Sequence, residues 1–361
     1  MSKKFRKLPA ILCVIFAALS FTGCADTTWA VKYNSITIPS GVYITYLINA
    51  KGDLESQAES SSSSSSSSSS AGLGGTSISG SSSSSTSSAT DIWSQKIDGT
   101  NALTWAVSQA TLNCKKLAYI EQQCTEKKLT LTSTEKTTAN SYADQYFSTY
   151  TVLNSNGVSS SSLEKIVQSS YLGDKLFTYY YGTGGSKAIP DSQAKDYYVK
   201  NYVHIKQIFF NKYDSSSNLL SDDKLAKLKT KANQVLALAE KDKAGFDALV
   251  KKYNEDPGMT ETPDGYIFNK SSSYIQNFKD TAFSMKVGDI KLIETTEGYH
   301  IMYKVNVDPN ASTYSQNKSG VLHAMKDTEF NTMVENALKN EKFQVNSQTI
   351  NRYNPKNLKD S

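Results

Sequence analysis

The sequence predicts an α+β protein, a helical half followed by a small mixed half, and two changes of pattern carry that prediction. From about residue 91 to residue 200, apolar residues recur at helical spacing, as in Leu103, Ala106, Ala110, Leu117 and Ile120. From Tyr202 to Val307 the pattern changes. Runs rich in β-branched and aromatic residues alternate there with short amphipathic stretches, in the order strand, helix, helix, strand, helix, strand, strand. A chain of 361 residues has room for two or three such domains.

The amino terminus reads as an export leader. Lys3, Lys4, Arg6 and Lys7 precede an apolar run, Leu8 to Phe21, that is too short to span a bilayer. It ends Thr22-Gly23-Cys24, which resembles a bacterial lipobox, in which the cysteine is diacylated and becomes the new first residue. Residues 1–23 are therefore expected to be removed. Two acyl chains on Cys24 would hold the protein stably at the outer face of the bacterial cell membrane.

Charge and cysteine usage narrow the partners. The chain carries +5, but loss of the four basic leader residues leaves 35 Lys and Arg against 34 Asp and Glu, a balance that gives no reason to expect nucleic acid as a partner. Cys114 and Cys124 lie ten residues apart in what reads as one helix. At 1.5 Å per residue they stand roughly 15 Å apart, beyond disulfide reach. The three histidines, His204, His300 and His323, have no ligand spacing, so no metal is expected.

The elements follow in order. Trp29 to Tyr33 alternates like a short strand, and Ile38-Pro39-Ser40 opens a helix carrying Val42, Tyr43, Tyr46, Leu47 and Ala50. Between residues 56 and 90, 21 of 35 positions are serine, so the tract buries too little apolar surface to offset its ordering entropy. It is expected to be a disordered insertion within a helical domain covering residues 24–200. After it come the helix through Leu103 and Ile120, one from Thr134-Glu135 to about Tyr150, one from Ser162-Leu163 to Gly182, and one from Asp191 to Tyr198.

Residues 201–307 form the mixed domain. Val203 to Phe210 is the first strand, and Ser221 can cap a helix whose buried face is Leu225, Leu228, Ala232, Val235, Leu236 and Ala239. Phe246, Leu249 and Val250 mark a second short helix that ends before the turn Asp256-Pro257-Gly258, and Asn277 to Met285 gives a third. Ile290 to Glu294 and His300 to Val307 close an antiparallel sheet. In the remaining segment, 308–361, Val321, Met325, Phe330, Met333, Val334 and Leu338 predict a helix from about Val321 to Glu341.

Within the mixed domain, Tyr253-Asn254-Glu255-Asp256-Pro257-Gly258 is followed by Gly265-Tyr266-Ile267-Phe268, Phe278, Ala282-Phe283, Gly288 and Gly298-Tyr299-His300-Ile301. This series resembles the parvulin family of peptidyl-prolyl isomerases over about a hundred residues. The helical half resembles, by element order and tyrosine-rich composition alone, the chaperone domain of the PrsA and SurA group of foldases. In that group a carboxyl-terminal helix returns to pack on the amino-terminal domain.

The resemblance implies a site. Tyr266, Phe268, Tyr274 and Phe278 would wall an apolar pocket for a proline ring, and Gln207, Asp256, Thr295 and His300 would form the polar group beside the amide. Gln207 stands where parvulins usually have a first-strand histidine. It keeps a donor and an acceptor but cannot titrate. His204, three residues earlier, should point to the opposite face, because side chains alternate along a strand. The loop Asn211 to Asn218 holds one cation and one anion, unlike the basic cluster of phosphate-directed parvulins.

Rotation about a prolyl bond is opposed by about 18–20 kcal/mol of lost amide resonance, and no nucleophile, metal or cofactor is needed to lower that barrier. The resemblance thus implies a lipid-anchored foldase that binds unfolded, proline-containing exported chains and isomerises prolyl bonds. The alternative is a non-catalytic holdase with a degenerate parvulin domain. A substrate-binding lipoprotein of a transporter would share the anchor, but the chain lacks the repeated βα pattern of two α/β lobes.

Overall fold

The structure, a computed structural model, describes residues 28–62, 92–97 and 99–359. The leader, Cys24 and positions 63–90 of the serine-rich tract lie outside the described residues. In chain order the elements are β1 (Trp29–Tyr33), β2 (Ile36–Pro39), α1 (Ser40–Ser62), a 3₁₀ turn (Ile92–Ser94), β3 (Lys96–Ile97), β4 (Thr100–Asn101), α2 (Ala102–Glu126), α3 (Ser133–Thr149), α4 (Thr151–Ser155) and α5 (Ser160–Tyr181). Then follow α6 (Asp191–Asn201), β5 (Tyr202–Asn211), α7 (Asp222–Lys241), α8 (Phe246–Tyr253), α9 (Gly258–Glu261), β6 (Tyr266–Asn269) and α10 (Gln276–Ser284). β7 (Ile290–Glu294), β8 (Gly298–Val305), α11 (Ser312–Leu338), β9 (Gln344–Val345), α12 (Ser347–Arg352) and a second 3₁₀ turn (Pro355–Asn357) complete the chain. The chain divides into two compact units, Met1–Tyr180 with Thr328–Ser361, and Tyr181–Asp327.

In the first unit, α1 and α2 pack on a small sheet of order β2-β1-β9 around a core that includes Val42, Leu47, Ala106, Ala110 and Leu117. The carboxyl-terminal segment belongs to this unit. β9 pairs with β1, and Thr349 Oγ1 and Asn346 Nδ2 both donate to Trp29 O. Cys114 and Cys124 are buried free thiols of α2, both pushed up by burial, Cys124 to about 11. No helix among the described residues is long and apolar enough to cross a membrane.

Three expectations change here. α1 runs on to Ser62, past residue 56 where disorder is expected to begin, because Gln57, Ala58 and Glu59 are good helix formers that let the helix propagate before the serines take over. Helix does not resume at residue 91. A 3₁₀ turn and the hairpin β3-β4, with Gly99 at φ 78°, come first, and α2 starts only where the Asn101 side chain accepts from Leu103 N. The last long helix begins at Ser312, nine residues before Val321, and is shared between the two units. Its early polar residues, Ser315, Asn317, Ser319 and Gly320, hide the periodicity that Tyr314 and Val321 obey when they pack against Ala194, Tyr198 and Tyr202. The second unit is accordingly wider than residues 201–307.

The second unit is built on an antiparallel sheet of order β6-β5-β8-β7. Its two faces are set by residue parity. Ile208, Phe210, Tyr299 and Ile301 point one way and pack under α7 and α8 against Ala232, Val235, Ala239 and Phe246. Val203, Ile205 and Met302 point the other way and pack under α10 with Phe268, Phe278, Ala282 and Met285. Lys304 locks α10 in place by donating to the carbonyls of Ala282 and Met285 at 2.9 and 2.8 Å, at the helix end where a cation is favoured.

Candidate active site

The face of the sheet under α10 carries the polar group. Phe209 lies directly across from His300 in the β5-β8 register, so Gln207, two residues earlier, shares that face. Phe268 pairs with Val203 and Tyr266 with Ile205, which brings both aromatics to it as well. Residue parity therefore places Gln207, His300, Tyr266 and Phe268 together, although 93 residues separate the first two.

Asp256 arrives by a different route. β6 pairs only with residues 202–205 of β5, and the open edge beyond is taken by the segment before Pro257. Glu255 N donates to Phe209 O at 2.9 Å, Phe209 N donates to Asn254 Oδ1 at 2.8 Å, and Asn211 N donates to Glu255 Oε2 at 2.9 Å. Asn254 Nδ2 then donates to Asp256 O at 2.8 Å, and Gly258 N to Asp256 Oδ1 at 2.9 Å, closing a turn of the kind aspartate favours. Gly258 is required at this point, because a β-carbon would collide with the Tyr266 hydroxyl and crowd the Asp256 carboxylate. Phe209's N–H and C=O both serve this segment, so its pairing with His300 is of the non-hydrogen-bonded type, in which side chains approach closely. Their rings lie 4.7 Å apart.

Thr295 sits in the β7-β8 turn. Its Oγ1 accepts from Glu297 N and Gly298 N at 3.2 and 3.3 Å, and Lys212 Nζ fixes the same turn by donating to Thr295 O at 2.9 Å and Glu294 Oε1 at 2.6 Å. Gly298 permits the close pass of β8, since a side chain there would strike Phe210 O and the Phe209 ring.

These pieces meet in one connected row. Thr295 Oγ1 lies 2.9 Å from His300 Nε2, His300 Nδ1 lies 2.9 Å from Gln207 Oε1, and Gln207 Nε2 donates to Asp256 Oδ2 at 2.6 Å. Tyr266 Oη donates to the same carboxylate oxygen at 2.6 Å. Gln207, His300 and Thr295 are buried, and Asp256 is half-buried at the end of the row. Burial lowers the His300 pKa to about 4; the Asp256 charge opposes that shift and the Lys212 charge adds to it. Burial and the Asp256 hydrogen bond push the Tyr266 phenol up.

Beside the row stands an aromatic wall. Phe268 and Tyr274 lie 4.4 Å apart, Tyr274 stacks on Phe278 at 5.7 Å, and Phe278 meets the His300 ring edge-on at 5.5 Å. Tyr274 covers both Phe268 and Phe278, which are only 2% and 3% exposed. Every residue expected at the site falls in this one place. His204 does not. It points to the opposite face, its ring nitrogens against Asp264 O at 2.6 Å and Asn306 O at 3.1 Å.

Sequence reasoning missed Phe209, Asn254, Lys212 and Lys304. Asn254 was legible in principle, standing two residues before Asp256 with a side chain suited to capping an open strand edge. The other three act through tertiary neighbours and leave no local signal.

The second unit thus sets a four-stranded antiparallel sheet, in the order β5, α7, α8, α9, β6, α10, β7, β8, under a buried polar row that holds one histidine and an aromatic wall. In comparison with known proteins, residues 192–310 match the family model of the PPIC-type PPIase domain. The chain is similar to the foldase protein PrsA of Geobacillus sp. (strain WCH70), 25% identical over 169 residues that cover 45% of this chain and 55% of that protein. It is also similar to a probable parvulin-type peptidyl-prolyl cis-trans isomerase of Bordetella bronchiseptica, 28% identical over 116 residues, 32% of this chain and 42% of the relative. The chain thus spans about half the length of the curated relatives it matches. Among solved structures, foldase protein PrsA from Streptococcus pneumoniae superposes with a TM-score of 0.42 at 19% identity, covering 68% of this chain and 88% of that one.

Proposed function

We propose that the chain is an extracytoplasmic foldase that binds unfolded or partly folded exported polypeptides and catalyses cis/trans isomerisation of their prolyl bonds in its PPIC-type domain. The observation that carries this reading is the continuous row Thr295-His300-Gln207-Asp256 running alongside the aromatic wall. The wall would hold the proline ring. The row would set a fixed electrostatic environment for the amide as it twists and loses resonance, a complementarity to the transition state that needs no covalent step. A ring reaching Phe278 would displace Tyr274, whose side chain fills that place.

The test is catalysed exchange of a proline tetrapeptide, followed by NMR, with the chain from residue 25 onward. Phe278→Leu keeps the apolar volume but removes the aromatic face, and should lower kcat/KM severalfold while the chain stays folded. An unaccelerated peptide with the native chain would remove the enzyme reading.

Two features favour a second reading, a non-catalytic holdase: Gln207 in the histidine position, and the Tyr274 ring lying across Phe268 and Phe278. It requires suppression of client aggregation without prolyl exchange. Attachment to the outer face of the membrane through acylated Cys24 rests on the leader sequence. Cys24→Ser should release the protein from the membrane fraction or leave its precursor uncleaved, and unchanged retention would remove the anchor.

A further inference from the structure

We propose that Gln207 is a positioning residue that transmits the charge of Asp256 to His300 and thereby fixes which ring nitrogen of His300 carries the proton. The proposal deepens the isomerase reading and rests on it only for its consequence in turnover. Its basis is the directionality of each contact in the row.

An ionised carboxylate only accepts hydrogen bonds. With Asp256 Oδ2 at 2.6 Å, the end of the Gln207 amide facing it must be the NH2 group. The carbonyl end then faces His300 Nδ1 at 2.9 Å, and a carbonyl also only accepts. His300 Nδ1 must therefore be the protonated nitrogen. In a neutral ring this leaves Nε2 bare, an acceptor for the Thr295 hydroxyl at 2.9 Å. The Thr295 oxygen meanwhile accepts from the Glu297 and Gly298 N–H groups, and of the two acceptors in reach of its proton, Gly298 O at 3.3 Å and the bare His300 Nε2 at 2.9 Å, the ring nitrogen is the nearer. At the other end Tyr266 Oη and Gly258 N donate to the two carboxylate oxygens and hold Asp256 in place. Every proton in the row points toward Asp256, from Thr295 through His300 and Gln207 on one side and from Tyr266 on the other.

An amide is suited to this task because its two ends are chemically opposite and interchange only by a half turn about its last torsion. While Asp256 is charged, that turn would set a carbonyl against a carboxylate and is disfavoured. The His300 ring, held between Phe209 at 4.7 Å and Phe278 at 5.5 Å, then has one tautomer available to it.

The test is the tautomer itself, read from the ¹⁵N shifts of the three histidine rings in the full mature chain at neutral pH, with His300 assigned through His300→Gln. The native chain should show His300 as the Nδ1–H form alone. Asp256→Asn removes the charge and supplies an NH2 of its own, so the Gln207 amide can turn over and His300 should shift to a mixture or to the Nε2–H form. Gln207→Leu should likewise release the tautomer. Thr295→Val removes the partner on the other nitrogen and should leave Nδ1–H unchanged. An Nε2–H ring in the native chain overturns the proposal without any variant, and so does an Nδ1–H ring that persists in a folded Asp256→Asn chain. A locked tautomer in a chain that does not accelerate prolyl exchange removes the enzyme reading and leaves the relay. A free tautomer with normal turnover removes the relay alone.

Discussion

Removing the His300 imidazole should flatten the acid limb of the second unit's stability. In the folded chain His300 is 7% exposed and its pKa is lowered to about 4 from an ordinary 6.5. Between those values the unfolded chain binds a proton that the folded chain does not, so stability rises with pH across the window. The contribution is whole above about 6.5 and is lost progressively as the pH falls toward 4. One pKa unit is worth about 1.4 kcal/mol, so the full swing is about 3 kcal/mol, and about 2 kcal/mol of it is gone by about pH 5. Tryptophan emission would miss this, because Trp29, Trp93 and Trp105 all lie in the first unit. Hydrogen exchange of the β8 amides, corrected for intrinsic rate, reads the right unit. The native chain should lose about 2 kcal/mol more protection than His300→Gln between about pH 7.5 and about pH 5. Parallel losses in the two chains would mean that His300 titrates normally and that the buried neutral ring is wrong.

How far the sequence discloses this site depends on the kind of contact involved. Strand parity is local, and it alone puts Gln207 and His204 on opposite faces of β5, whereas bringing His300 to the Gln207 face takes the β5-β8 register that sets Phe209 across from His300. The turn Asp256-Pro257-Gly258 is local too, but its docking on β5 depends on an edge that exists only because β6 stops at Tyr266, opposite Ile205. No property of residues 253–258 states where β6 ends. Tyr266 shows the same limit. Its sequence position suggests an apolar wall residue, whereas its hydroxyl is aimed at Asp256, a distinction made by the room at Gly258. In the first unit the amphipathic helices were legible, while β2, β3, β4 and β9 were not. Those strands are two to four residues long, too short for a period of two to stand out.

Gly258→Ala should destabilise the second unit by about 1–3 kcal/mol and reduce prolyl exchange, since the new methyl displaces Tyr266 from Asp256; native values in both assays would refute the crowding. His204→Ala should cost about 1–2 kcal/mol through its lost carbonyl partners yet leave exchange unchanged, and a clear fall in kcat/KM with the fold intact would place His204 in the site after all. Gln207→His should preserve the row at neutral pH, because a neutral imidazole can donate to Asp256 from one nitrogen and accept the His300 Nδ1–H at the other. The new ring sits beside a carboxylate, which favours its charged form, so it should take up a proton at or above the ordinary value of about 6.5. Once protonated it donates from both nitrogens and can no longer accept from His300. Turnover in the variant should therefore decline as the pH falls through that range, while the native chain, whose amide does not titrate and whose His300 stays neutral to about 4, keeps a flat profile. Profiles of kcat/KM against pH for the two chains decide the matter: a native rate that itself falls near pH 6–7, or a variant rate that does not, would show that the row does not work through the direction of its hydrogen bonds.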